Sequence, residues 1–275
     1  MHAWEVRAHV WCTEQAELDE AGLVCQACGM DRPLLIMSAL AGEVGLLSGA
    51  MAGGDENPVG GHTFLVVTIG GRGVVVASAG VGKVNAAMVA TLGIDHFAPR
   101  QVLFTGVAGG IDPMLGIGDV VVAEQVLHHD AGVFGPDGFE VYQAGHVPFF
   151  NPSDDLGYRP PPGLLDRARS VVAGLQLSPV LGRAPAVVFG TVATGDQFIE
   201  SEQERRRIHE TLGAHVVEME GAAVAQVACH FGVDHLVIRA VSDRAGADSA
   251  VDFGRFLDEV ADNSARVVLG MLEGL

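Results

Sequence analysis

The chain has 275 residues, 49% of them hydrophobic and only 6% aromatic, with 37 glycines and a formal net charge of −18. That length suits one generously cored domain or two small ones. So acidic a chain is repelled by phosphate backbones and anionic lipid, which argues against nucleic acid and membrane partners, and no apolar run reaches the roughly 18 residues of a membrane span.

Residues 1–32 lack the basic start and apolar centre of a signal peptide and carry Glu14, Glu17, Asp19 and Glu20 instead. The expectation is a cytoplasmic protein with its four cysteines reduced. His9, Cys12, Cys25 and Cys28 have a spacing that a small zinc site permits. The plainer reading, preferred here, is an upstream extension that happens to contain a CxxC, with Met30 just ahead of the first strand. The chain is therefore divided into an N-terminal extension, 1–32, and one domain, 33–275.

Beyond residue 32, short apolar runs alternate with helical patterns. Strands are predicted at Leu34–Ser38, Phe64–Ile69, Val74–Ser78, Val102–Thr105, Val120–Val126, Val187–Thr191, Val216–Glu218 and Leu236–Ser242. Helices are predicted at Val84–Thr91, Ser201–Leu212 and Gly221–Phe231, with Cys229 as part of the core. A last amphipathic helix carries Phe253, Phe256, Leu257, Val260, Ser264, Val267, Val268 and Met271 at spacings of three and four. Gly132–Gly163 is rich in Gly, Pro and aromatics and lacks periodicity, which reads as a lid, a binding loop or a subunit contact. The alternation implies an α/β fold whose largely parallel or mixed sheet is covered on both faces.

In such sheets a ligand sits beyond the C-terminal ends of the strands. Glu43 follows the first predicted strand, Glu218 and Glu220 close another, and Asp243 ends the last. Thr105–Gly110 follows a fourth and reads as a glycine turn that lets backbone approach a ligand. Singly, the acids have ordinary explanations as solvated first-turn residues or caps. Two tempting motifs fail. Ala79–Val84 lacks the Gly and the Ser/Thr that a phosphate-binding P-loop needs at 77 and 84. His128, His129 and Asp130 are adjacent on a strand and point to alternate faces rather than to one metal.

Several stretches carry a resemblance: Ser38–Leu47, Ser78–Ala87, Thr105–Gly110, Gly118–Val122, His129-Asp130, Thr194–Ile199, Val217–Ala222 and Arg239–Asp243. In order and spacing, over roughly residues 34–272, the chain resembles the 5′-methylthioadenosine/S-adenosylhomocysteine nucleosidases of the nucleoside phosphorylase and hydrolase superfamily. The resemblance implies a three-layer αβα sandwich around a central mixed, largely parallel sheet. It also implies a homodimer, no cofactor, and hydrolysis of 5′-substituted adenosines to adenine and a 5′-substituted ribose. By the same resemblance, Asp243 is the acid that protonates adenine N7, helped into place by Ser242, and Glu43 activates the water with Arg239 beside it. Glu220 takes the ribose hydroxyls over a floor made by Met219. Phe198 stacks on the purine and the Ile199 backbone reads its edge, while Glu218, Ala108 and Gly109 complete the lining.

Two departures bear on the substrate. Many members have Ser where this chain has Val107, although relatives that process aminodeoxyfutalosine, a menaquinone precursor, also carry Val. The segment from Asp130 to Phe134 is short, and Phe134 is the candidate wall against the 5′-substituent. The competing readings are an aminodeoxyfutalosine nucleosidase, a phosphorylase, in which phosphate replaces water and needs converging cations, and a nucleoside-binding or storage protein without turnover.

Overall fold

A computed structural model describes residues 24–25, 30–40, 42–43, 53–246 and 249–273. In chain order the elements are β1 (Val24–Cys25), β2 (Met30–Asp31), β3 (Leu34–Ser38), β4 (Asp55–Val59), β5 (His62–Ile69), β6 (Arg72–Ser78), α1 (Lys83–Phe97), β7 (Gln101–Gly110), β8 (Val120–His128), β9 (Gly132–Gly135), β10 (Gly138–Val141), α2 (Pro162–Gly174), β11 (Val187–Thr194), α3 (Glu202–Leu212), β12 (Ala214–Glu218), α4 (Gly221–His230), β13 (Asp234–Asp243) and α5 (Ser249–Glu273). The apolar runs became strands because a sheet covered on both faces buries every side chain, as in β3, where all residues are buried.

One sheet has the order β12-β11-β8-β13-β7-β3-β6-β5-β4. Five of its pairings are parallel and four antiparallel. Helices α1 and α4 cover one face through Ala86, Val89, Ala222 and Val224. Helices α2 and α5 cover the other through Leu164, Ala168, Phe256 and Val260. These are the three layers expected. Among the described residues no helix is long and apolar enough to cross a membrane.

The sheet also forks. The first half of β7, Gln101–Phe104, pairs with β3. Its last two residues, Gly109 and Gly110, pair instead with Val217 and Val216 of β12. Since β13 runs along the other side of β7, strands β7, β13, β8, β11 and β12 close a ring. The expected glycine turn at Thr105–Gly110 is therefore wrong: it is the second half of one strand. Glycine serves there because side chains from three elements crowd the fork.

Three further differences have local causes. Strand β4, DENPV, is polar and lies at the sheet edge, so it has no apolar alternation to read. Helix α2 starts with the Pro-Pro-Gly run and buries only Leu164 and Ala168, leaving a weak stripe. Cys229 is exposed on the last turn of α4 rather than in the core. Helix α3 begins as its signals suggest, with the Ser201 hydroxyl accepting from the Glu204 N–H at 3.3 Å. The His9, Cys12, Cys25 and Cys28 quartet falls outside the described residues apart from Cys25, which is in β1.

Candidate active site

A cavity of about 280 Å³ opens where β3, β7, β12 and β13 end. Glu43, Val107, Ala108, Gly109, Phe198, Ile199, Glu218, Met219, Glu220, Ser242 and Asp243 all line it. Arg239 lies behind that wall, fully buried. Phe134 is not among the lining residues; it is 84% exposed and sits on the β9–β10 hairpin.

Glu43 is held at the fork. Once β7 has left β3, the Val107 N–H donates to Glu43 Oε1 at 3.0 Å. The Leu40 N–H donates to Oε2 at 2.7 Å. The side chain is only 2% exposed. Burial raises its pKa, against the opposing pull of the Arg239 charge and these backbone donors.

Gly106 makes this approach possible. A Cβ there would stand 2.3 Å from Arg239 Nη1 and 2.6 Å from Glu43 Oε1, at φ +154. Neither neighbour can yield, because both are buried and the Arg239 guanidinium lies 4.3 Å over the Phe104 ring. Gly106→Ala is therefore expected to lower kcat/KM by about 10²-fold or more, the scale for displacing a catalytic group by an ångström. A lower Tm should accompany it; steady-state kinetics and a thermal melt check both.

The turn after β12 folds around one carboxylate. Glu218 accepts from the Glu220 N–H at 3.1 Å and from the Gly221 N–H at 2.9 and 2.7 Å. It also takes the Thr194 hydroxyl and Arg239 Nη2. Gly221 is needed here, since a Cβ would lie 3.2 Å from both Glu218 oxygens. Glu218 therefore touches the cavity, but both its oxygens are engaged by the protein. Its task is to shape the turn that throws Glu220 inward.

Glu220 is 5% exposed. Its Oε1 accepts from the Gly82 N–H at 2.8 Å, and its Oε2 is 3.6 Å from Arg239 Nη2. Burial first, and then the Glu218 charge, push its pKa up to about 7, although Arg239 and the Gly82 N–H act the other way. Arg239 is driven upward: burial opposes its charge, but Glu218, Glu220 and Glu43 together outweigh burial. Its Nη1 and Nε have no hydrogen-bond partner.

Asp243 ends β13 and is 3% exposed. Ser242 Oγ donates to Oδ2 at 2.9 Å and the Ala245 N–H to Oδ1 at 2.8 Å, which fixes the plane of the carboxyl. Gly109 leaves room for it, as a Cβ there would lie 3.1 Å from Oδ1. Across the cavity stands Phe198, 49% exposed. Phe253 meets it edge to face, centroids 6.1 Å apart at 88°. Phe253 lines the cavity with Ala39, Leu40, Val81, Gln197, Val217 and Ala245. Sequence reasoning placed it only in a helix stripe. Its one signal is an aromatic ten residues beyond Asp243, near the start of that helix.

Among the described residues no cluster of three or more His, Cys, Asp or Glu side chains could hold a metal ion. No lysine or arginine is among those lining the cavity.

The family model of the phosphorylase superfamily matches residues 33–273. A 5′-methylthioadenosine/S-adenosylhomocysteine nucleosidase of Mycobacterium bovis is 44% identical over 86% of this chain and 95% of its own length. This chain belongs to that nucleosidase family. A nucleosidase of the same description from Geobacillus kaustophilus is 39% identical over 86% of this chain and 95% of its own. Among solved structures, a Colwellia psychrerythraea nucleosidase in complex with adenine superposes with TM-score 0.77, 32% identity and coverage of 89% of this chain and 96% of that one. A structure described as a futalosine hydrolase mutant of Helicobacter pylori gives TM-score 0.78 at 28% identity, covering 89% of this chain and all, 100%, of that one. The family and these likenesses agree with the three-layer fold of helices on a mixed sheet.

Proposed function

We propose that this nucleosidase-family chain hydrolyses the N-glycosidic bond of 5′-substituted adenosines, releasing adenine and a 5′-substituted ribose. The observation that carries the reading is the convergence of three buried carboxylates, Glu43, Glu220 and Asp243, on one cavity. Each suits a different part of the reaction. Asp243 donates a proton to N7, so that adenine leaves neutral, with Phe198 stacked on the ring. Glu220 accepts from the ribose hydroxyls, and its charge favours the cation-like transition state. Glu43 takes the proton of the attacking water, and the Arg239 charge behind it favours the carboxylate form that can do so.

Water, rather than phosphate, fits this lining. Arg239 is committed to Glu218 and Glu220, Lys83 to Asp130, and Glu43 repels an anion. Adenine release from 5′-methylthioadenosine should therefore proceed at the same rate with and without inorganic phosphate; dependence on phosphate would overturn the hydrolase reading. Binding with no release would make the chain a nucleoside-binding protein. Val107 and the likeness to the futalosine hydrolase support aminodeoxyfutalosine as a further substrate. Comparing rates on it, 5′-methylthioadenosine, S-adenosylhomocysteine and 5′-deoxyadenosine ranks the four.

Residues 33–275 act as one unit in this reading, with 1–32 an extension, in the cytoplasm. A homodimer is part of it as well. Val84, Met88 and Phe231 are exposed at 78%, 42% and 43%, and Val84 and Phe231 flank a second, open cavity. Exposed apolar side chains grouped in this way suit a second copy, whose Phe134 is the candidate for the 5′ wall.

The pH dependence follows from Glu220. It accepts two hydroxyl protons only when ionised, and its pKa in the free protein stands at about 7. Protonation therefore weakens binding as pH falls, and kcat/KM is expected to drop below about pH 7, approaching tenfold per unit. The raised Glu43 works in the same direction. A pH profile with a flat rate down to pH 5 would exclude ionised Glu220 from the reaction.

A further inference from the structure

Two features of the sequence are left over from the chemistry: the Ala79–Val84 segment that fails as a P-loop, and His129-Asp130. The structure brings them together in one knot beside the cavity. Lys83 Nζ contacts both Asp130 oxygens, at 2.7 and 2.8 Å. Asp130 Oδ2 also accepts from the Asp196 N–H at 3.0 Å. Asp196 Oδ1 in turn accepts from the Lys83 N–H at 2.8 Å, and its Oδ2 is 3.9 Å from Lys83 Nζ. The Lys83 and Asp130 side chains are only 23% and 14% exposed, so solvent screens this pair less than an ordinary surface pair. Burial works against the charge on Asp130, but the Lys83 bonds and the Asp196 N–H outweigh it and hold its pKa below the usual range.

The knot joins three segments distant in sequence: the first residue of α1, the turn after β8 and the loop leaving β11. Two sides of the knot lead to the cavity. Gly82, next to Lys83, gives Glu220 its backbone donor. Asp196 leads directly into Gln197, Phe198 and Ile199, the purine side of the cavity. The start of the loop is tied to β12 by the Gly195 N–H, which donates to the Glu218 carbonyl at 3.0 Å, and Gly195 lies against the His129 ring, where a Cβ would be 2.3 Å from Nε2.

From this juxtaposition we infer that Lys83, Asp130 and Asp196 are positioning residues: their knot sets the purine-side loop and the Gly82 donor to Glu220 at a fixed separation, so that both ends of the nucleoside are gripped at once. The inference rests on the nucleosidase reading of the cavity. It assigns the knot to the grip on the nucleoside, because Glu43 and Asp243 are held by other bonds and Glu220 keeps its charge in every variant.

Lys83→Met and Asp130→Asn should each raise KM for 5′-methylthioadenosine by about tenfold, as the loss of a partly buried charge-assisted pair suggests, with kcat changed by less than about threefold. Inhibition by adenine should weaken in parallel. The Lys83→Met/Asp130→Asn double variant should be no worse than either single one, since both remove the same interaction, and Lys83→Arg should restore much of the affinity. A merely structural role predicts the opposite split: unchanged KM, with Vmax per milligram and Tm both lowered. That outcome, or strictly additive single effects, would overturn the inference. If Asp130→Asn fails to fold, the part-exposed Lys83→Met carries the test alone. Should the parent protein release no adenine at all, the nucleosidase reading fails, and the knot is then judged by calorimetric affinity for adenine, which must still fall in the variants.

Discussion

Replacing Asp243 by Asn is expected to cut kcat roughly 10³–10⁴-fold, in the upper part of the range for general acid catalysis, while the nucleoside still binds with nearly parent affinity. The reason lies in what the asparagine keeps. It is the same size as the aspartate, its carbonyl can still accept from the Ala245 N–H, and the site is a snug one, with Gly109 close by. What it lacks is a proton to give to N7, and without that proton adenine must leave as an anion. Single-turnover release of adenine, set beside a calorimetric dissociation constant, separates the two effects. Full activity in the variant would mean that another group protonates the base.

The second large effect concerns Glu43→Gln. Loss of the base should lower kcat by about 10²–10³-fold, leaving the acid and the cavity to supply the remainder. Stability should move little, because two changes oppose each other. The neutral amide removes the burial cost that raises the Glu43 pKa. It also turns an NH2 group toward one of two backbone donors, from Leu40 and Val107, and so loses one accepted bond. A rate assay on a variant with an unchanged melting curve would therefore isolate chemistry from folding. A variant of undiminished kcat would remove Glu43 from the water-activating role.

The sequence made the strand ends legible and hid the connection between them. Leu34–Ser38 is found where it was read, because a continuous apolar run bounded by Pro33 and a small-residue loop has one reading in an α/β pattern. The same logic placed Glu43, Glu220 and Asp243 at a common mouth. Gly106, Gly109 and Gly110 misled, since glycine is read as a turn wherever its neighbours are unknown. Here it marks close approach inside a strand, a tertiary fact that no local pattern contains. Glu218 reads as a ligand residue because it stands at a strand end within the Val217–Ala222 stretch. Only the folded turn shows that its oxygens are already taken by Thr194, Arg239 and two backbone donors. Phe253 went unseen for a related reason, as one position in an apolar stripe looks like another until its partner, Phe198, is in place.

The fork at β7 has a consequence for how the molecule behaves in a crowd. Because β12 turns back to pair with β7, the strands that carry the carboxylates have neighbours on both sides. Of the strands in this sheet, β4 alone has a single neighbour, β5. That exposed flank carries Asp55, Glu56 and Pro58, the charges and the missing N–H that discourage a foreign strand from adding itself to a sheet. Among the described strands of this sheet, backbone open to other chains is therefore confined to the margin farthest along the sheet from the carboxylates, and there it is least adhesive.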